Sequence, residues 1–300
     1  MILRRMNIFI LLSFMVNIMV VIKNEYITAK FNELGAELKS LSCDGKEYIW
    51  PGDDKFWSDS APVLFPICSG LLDDTYYYKN KAYHMEKHGY ASGYVFEVVE
   101  KRENYVSFLH KWNEKTYKIY PFRYELYINY ELVDKKLNIT YKVNNLSDDD
   151  MYFSIGGHEG FICEGGIENY ELVFPKKVNL DACVLGGSVL GNETERILEN
   201  SDMFNLDYKY FTIDAIILKN VDFSEVILKN NINGNVLKSS FEGFPYLLFW
   251  TRPDAPLLCI EPWCGITDGV GTTQDITVKE GIEHLNVGET FNRTRTIEIF

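Results

Sequence analysis

Tyr124-Glu125-Leu126-Tyr127-Ile128-Asn129-Tyr130-Glu131-Leu132, followed by Asp134-Lys135-Lys136 and an apolar-polar run to Val143, is the stretch that decides the fold class. Tyr124, Leu126, Ile128, Tyr130 and Leu132 alternate with Glu125, Tyr127, Asn129 and Glu131. A period of two sends successive side chains to opposite faces of an extended chain, so one face is buried and the other wet. A helix would need apolar residues three and four positions apart and would mix the two sets. The charged triplet supplies the turn, and the second arm pairs back on the first.

Similar signals recur on both sides. Residues 94–99 and 105–112 extend the β run upstream. Nearer the start, residues 27–31 and 36–41 alternate, and Asp44-Gly45 marks a hairpin before residues 47–50. Lys79-Asn80 marks another between residues 76–78 and 82–84. Residues 215–218, 226–228, 236–241, 246–250 and 294–300 continue the pattern. Residues 156–205 read as glycine-rich and polar, with short strands inside. A helix is expected only near residues 275–285. Many short strands without repeat or linker predict one mainly β domain, a sandwich or barrel, over residues 23–300.

Composition limits the function classes. A formal charge of −13 opposes nucleic-acid binding, which needs a Lys/Arg surface against phosphates. It leaves room for a small neutral ligand. The 20 Tyr, 19 Phe and 5 Trp suit pleated, half-buried surfaces, and flat rings also cover the apolar faces of sugars. Six scattered cysteines lack the spacing of a disulfide scaffold, and Cys259 and Cys264 have no second pair or nearby histidine to complete a zinc set. They read as reduced thiols, which points to the cytoplasm.

At the amino terminus, Arg4 and Arg5 precede an apolar run over residues 8–22, broken by Ser13 and Asn17. Residues 1–22 read as a signal peptide, a short anchor, or a start codon placed too early, with translation beginning at Met6 or Met19. The run meets the first domain strand without a linker, which favours the early start codon. If residues 1–22 are retained, the alternative is export or membrane anchoring.

Two further stretches carry chemistry. Leu257-Leu258-Cys259-Ile260 reads as a buried strand that delivers Glu261 at its end, with Pro262 stiffening the exit and Trp263 supplying an aromatic wall. A carboxylate beside so many apolar residues needs partners or a task. Ile155-Gly156-Gly157-His158-Glu159-Gly160-Phe161 sets an imidazole in a glycine-rich strand exit. His158 titrates near neutrality and can give or take a proton. We read Glu261 and His158 as a base and acid pair, with His88, in Lys87-His88-Gly89-Tyr90-Ala91, as a second polar group of the same cleft. His84, His110 and His284 read as structural, and no metal is expected. There is no G-x-S-x-G elbow, Walker loop or strand-linked G-x-G-x-x-G.

In order and spacing, Leu34-Gly35-Ala36-Glu37-Leu38, Phe65-Pro66-Ile67, His88-Gly89-Tyr90-Ala91, Gly156-Gly157-His158, Gly243-Phe244-Pro245-Tyr246 and Cys259-Ile260-Glu261-Pro262-Trp263 resemble the aldose 1-epimerase (galactose mutarotase-like) family, in its LacX-like bacterial branch. The resemblance runs from about residue 25 to the end. It implies a single-domain β-supersandwich and cofactor-free interconversion of the α and β anomers of a monosaccharide. By the same resemblance His158 is the acid at the ring oxygen, Glu261 the base at the anomeric hydroxyl, His88 a helper near the ring oxygen, and Asp214 a hydroxyl-binding group. The chain departs from the family where arginine often follows Phe-Pro (here Cys68-Ser69-Gly70-Leu71), where arginine often follows His-Gly-Phe-Ala (here Ser92), and where proline commonly follows the acid histidine (here Glu159).

Overall fold

The alternating stretch forms the hairpin that its pattern predicts. In a computed structural model, which describes residues 19–300, Tyr124–Val133 pairs antiparallel with Lys136–Asn145. Asp134 turns the chain with φ of 52°, a left-handed conformation that aspartate tolerates. Tyr124, Leu126, Ile128, Tyr130 and Leu132 are all buried. Full burial of each large apolar side chain contributes roughly 1.5–3 kcal/mol.

The hairpin sits inside a nine-stranded antiparallel sheet. Its order is Leu190–Asn205, Tyr170–Leu185, Glu225–Asn230, Gly234–Ser240, Thr290–Ile299, Lys136–Asn145, Tyr124–Val133, Tyr105–Lys111 and Glu97–Lys101. A second antiparallel sheet runs Ile216–Lys219, Tyr246–Trp250, Leu257–Cys264, Ile155–Gly157 and Val63–Leu64, and Glu159–Ile162 also pairs with Leu257–Cys264. Ile128 and Tyr130 of the first sheet share one apolar cluster with Ile155, Leu258 and Ile260 of the second. The two sheets therefore face each other across a common core, and the fold is a mainly β sandwich. A four-stranded sheet of Val20–Lys23, Ile27–Phe31, Leu38–Cys43 and Lys46–Glu47 covers one end, where the Phe31 ring lies 4.3 Å from that of Tyr130.

Several expectations change. The first strand, Val20–Lys23, starts inside the apolar run, so the boundary placed between residues 22 and 23 falls within it. Val20 and Ile22 point into the core, which is why the end of that run is apolar. Residues 1–18, and with them the signal, anchor and start-codon readings, lie outside the described residues. In place of short strands, Tyr170–Leu185 and Leu190–Asn205 form a hairpin of two 16-residue strands. Most of the second strand is exposed or half-buried, and several register shifts break the pairing, so no clean alternation is written there. The single α-helix among the described residues is Glu114–Ile119, held by a reciprocal cap between Asn113 and Thr116. Residues 275–285 hold instead a 3-10 turn, Ile276–Val278, and a short strand, Glu283–Leu285. No helix among the described residues is long and apolar enough to cross a membrane.

Candidate active site

Leu257–Cys264 is the second sheet's central strand, and all eight residues are buried. Alternation divides them. Leu258 and Ile260 face the core, while Leu257 and Cys259 belong to a separate cluster with Trp50 on the outer side. Glu261 and Trp263 follow Cys259 at two-residue steps and so share that outer face. Glu261 is thus within the strand and not at its end, and Pro262 keeps register with Leu247 of the neighbouring strand.

On the other side the ladder breaks. Gly156 pairs with Trp263 and Glu159 with Ile260, which leaves Gly157 and His158 opposite Glu261 and Pro262. Proline has no N–H to offer a partner, and here the neighbouring strand is interrupted. Glu159 turns inward to pair with Arg295, and His158 turns outward. Gly156 is required by packing, because a Cβ there would stand 2.4 Å from Trp263 Cδ1.

His158 Nε2 lies 3.3 Å from Glu261 Oε2, and the two side chains are 11% and 2% exposed. The contact is not a formed hydrogen bond: Glu261 Oε2 and His158 Nδ1 are both buried without a partner. Burial pushes the Glu261 carboxyl well above the usual carboxylate range; Lys87 opposes the shift, while Glu159 and Asp214 add to it. Burial and then the adjacent His88 push the His158 imidazole well below its ordinary value. Each group is driven toward its neutral form, and the pair is poised to hold one proton between two atoms.

His88 stands beside them, its ring centroid 5.5 Å from His158 and 5.7 Å from Trp263. Its Nδ1 accepts from the Ser69 N–H at 3.1 Å, so the neutral ring carries its hydrogen on Nε2. Burial, with a smaller contribution from Lys87, lowers its pKa to about 3. His88 is therefore a neutral, fixed donor and not a proton carrier. Gly89 makes this placement possible: its φ is 75°, and a Cβ would come within 2.3 Å of the Phe65 carbonyl oxygen.

These residues line a cleft of about 190 Å³ together with Asp214, Ile217, Leu248 and Trp250. That is below the roughly 300–1,000 Å³ of drug-sized pockets and suits one small ring. All five residues singled out in the sequence, His158, Glu261, His88, Asp214 and Trp263, line it. Trp263 gives its indole N–H to the Gly157 carbonyl at 3.1 Å, leaving only the ring as a surface. A cleft of about 330 Å³ between Lys177 and Phe223 has no histidine in its wall.

The structure adds residues that the sequence did not single out. Trp57 stacks on His158 with centroids 4.9 Å apart and planes at 29°, and Trp250 meets the same imidazole edge-on at 5.6 Å. Lys87, Arg252, Asp59 and Ser69 complete the rim. Ser92 is exposed at a 3-10 turn and is not in the wall of the cleft; His84 is likewise exposed, bonded to Thr75 at 3.0 Å. The sole signal for Trp57 was its aromatic character, since no local pattern placed it over residue 158.

Comparison with known proteins follows the same lines. The family model described as Aldose 1-epimerase matches residues 19–281. Protein LacX of Lactococcus lactis subsp. lactis, in both plasmid and chromosomal forms, is 33% identical over 265 residues, covering 82% of this chain and 87% of the relative. A galactose mutarotase related enzyme from Lactobacillus acidophilus superposes with a TM-score of 0.88 at 31% identity, covering 94% of this chain and 97% of the other. A galactose mutarotase-like protein from Lactobacillus casei gives 0.89 at 30% identity, covering 94% and 100%.

Proposed function

This chain belongs to the aldose 1-epimerase family, and from that premise we propose that it is a mutarotase, interconverting the α and β anomers of a free aldohexose without a cofactor. The observation that carries the proposal is the pair of buried groups, His158 and Glu261, 3.3 Å apart and facing one cleft with neither partner atom committed elsewhere.

In this reading the sugar lies against Trp263 and Leu248, with Asp214 accepting from its hydroxyls. With sugar bound, the one proton of the pair passes from Glu261 to His158, and Glu261, now the carboxylate, takes the proton of the anomeric hydroxyl. The C1–ring-oxygen bond breaks, its electron pair stays on the ring oxygen, and His158 protonates that oxygen. The open aldehyde rotates about C1–C2, and the reversed transfers close the ring on its other face. His88 contributes a hydrogen bond from Nε2 near the ring oxygen. One proton on the pair suffices, since what His158 gives Glu261 has taken. Each positioned acid or base is worth roughly 10²–10⁴ in rate, and the fixed geometry adds an orientation gain. Arg252 and Lys87 at the rim offer cationic contacts to the sugar.

The absence of those arginines at Cys68-Ser69-Gly70-Leu71 and Ser92 supports a second reading, a sugar-binding or regulatory protein with weakened catalysis. Polarimetry or NMR of freshly dissolved α-galactose and α-glucose separates the two. Acceleration over buffer supports the enzyme. Saturable binding with a rate equal to buffer supports the binder.

A further inference from the structure

Cys259 lies two residues before Glu261 on a strand, so its thiol is on the same face as the carboxylate. It sits beside the cleft and not in its wall, in the cluster with Trp50 that Trp57 packs against. One ligand atom each from His158, Cys259 and Glu261 can be chosen so that all three lie within 4.8 Å of one another. One of the carboxylate oxygens, Glu261 Oε2, is buried and unpartnered. By spacing alone, Cys259 and Cys264 complete no zinc set. The fold gives Cys259 different companions, from its own strand and from the neighbouring interruption.

We propose that His158, Cys259 and Glu261 form a site for one thiophilic divalent cation, of the zinc, cobalt or cadmium class, that binds in competition with the sugar. Nitrogen, sulfur and carboxylate oxygen are a donor set that zinc accepts, and three protein ligands leave a fourth position open, here toward the cleft. A tetrahedral ion with metal–nitrogen and metal–oxygen bonds of about 2.0–2.1 Å spans roughly 3.3–3.4 Å along that edge. His158 Nε2 and Glu261 Oε2 already stand 3.3 Å apart. Binding releases the thiol proton of Cys259 and any proton held by the His158–Glu261 pair to solvent. The occupied pair can no longer transfer protons, so the cation inhibits. This consequence rests on the mutarotase reading, whereas the binding itself does not.

The test is titration of the full chain with cobalt(II), followed by a thiolate-to-cobalt charge-transfer band in the near ultraviolet, with zinc-dependent loss of mutarotation measured in parallel. One equivalent of cobalt is expected to raise the band. Cys259→Ala is expected to abolish it, whereas Cys183→Ser, at the half-buried thiol, is expected to keep it. Glu261→Gln, which keeps the thiol, is expected to weaken binding by at least the roughly 10–100-fold that loss of an outer-shell partner costs. Excess sugar is expected to displace the ion. A band that survives Cys259→Ala, or no band in the wild type, overturns the site. A band without any mutarotation to inhibit upholds the site and counts against the enzyme reading instead.

Discussion

His158 Nε2 and Glu261 Oε2 stand 3.3 Å apart in a nearly dry corner of the molecule, and that carboxylate oxygen accepts no hydrogen bond. Two groups that could pair, brought within reach and left unbonded, are prepared for a third participant. Glu261→Gln and His158→Asn are each expected to lower the rate of anomer exchange by roughly 10²–10⁴. The double variant should lose little more than the worse single one, because both groups act in one transfer. Polarimetry gives the rates, and a near-normal rate in either variant rejects the pair.

The pH profile of exchange should be bell-shaped, because the pair works with one proton on it and fails with none or two. Glu261→Gln should remove one limb of the bell along with most of the rate. With Glu261 raised and His158 lowered, the one-proton state spans neutrality, so the plateau belongs there and the limbs lie on its acid and alkaline sides. A rate that falls steeply through neutrality contradicts the shared-proton account.

Acid should destabilise the fold through two other imidazoles. Burial lowers His88 to about 3 and His110 to about 4. An unfolded histidine titrates near 6.5, so as pH falls the unfolded chain takes up protons first. The stabilisation is complete above about pH 6.5 and is lost as pH falls toward those two folded values, at about 2 kcal/mol per histidine by pH 5. Urea midpoints at pH 7.5 and 5 measure the slope. His110→Asn should remove that residue's share, about 2 kcal/mol of the loss by pH 5, and an unchanged slope in that variant counts against the assignment.

Beneath His158, Arg295 pairs with Glu159 and donates to the Tyr141 hydroxyl at 3.0 and 2.8 Å, with everything buried. Burial alone would lower the guanidinium's proton affinity, but the charge of Glu159 more than reverses this. Arg295→Met or Glu159→Gln should cost about 3–5 kcal/mol, since each strands the other group, while Glu159→Leu with Arg295→Met should cost much less. Chemical denaturation of the three variants decides this. Equal losses in single and double variants would show that the charges do not act as a pair.

Gly156→Ala should cost about 1–3 kcal/mol by forcing the Trp263 ring aside. The displaced ring narrows the cleft, so sugar binding should weaken beyond what the stability loss explains. Calorimetric binding on the folded fraction tests it, and an unaltered affinity argues that Trp263 is not a wall of the sugar site.

The parts of the fold that were legible share a cause. Residues 124–143 have one buried and one wet face, so their packing is written as alternation, and Asp44-Gly45 and Lys79-Asn80 specify turns that need positive φ. The site pair was legible because a glutamate amid apolar residues and a histidine amid glycines are locally costly. The hairpin of Tyr170–Leu185 and Leu190–Asn205 was not, since much of it is wet on both faces and carries no period. Glu114–Ile119 is too short for a helical period, although Asn113 and Thr116 carried its capping signal. Pro262 reads locally as a strand exit, and only the interruption at His158 in another strand explains why the strand continues. Trp57 reaches His158 by tertiary packing alone.

Thr290–Ile299 lies in the middle of the nine-stranded sheet, hydrogen-bonded on one side to Lys136–Asn145 and on the other to Gly234–Ser240. Of those nine strands it is the last to leave the ribosome. Until it arrives the sheet is two fragments with open edges, and Glu159 has no counter-charge. The sheet of a nascent chain therefore stays open until Thr290–Ile299 is made, and for that interval its bare strand edges are free to pair wrongly.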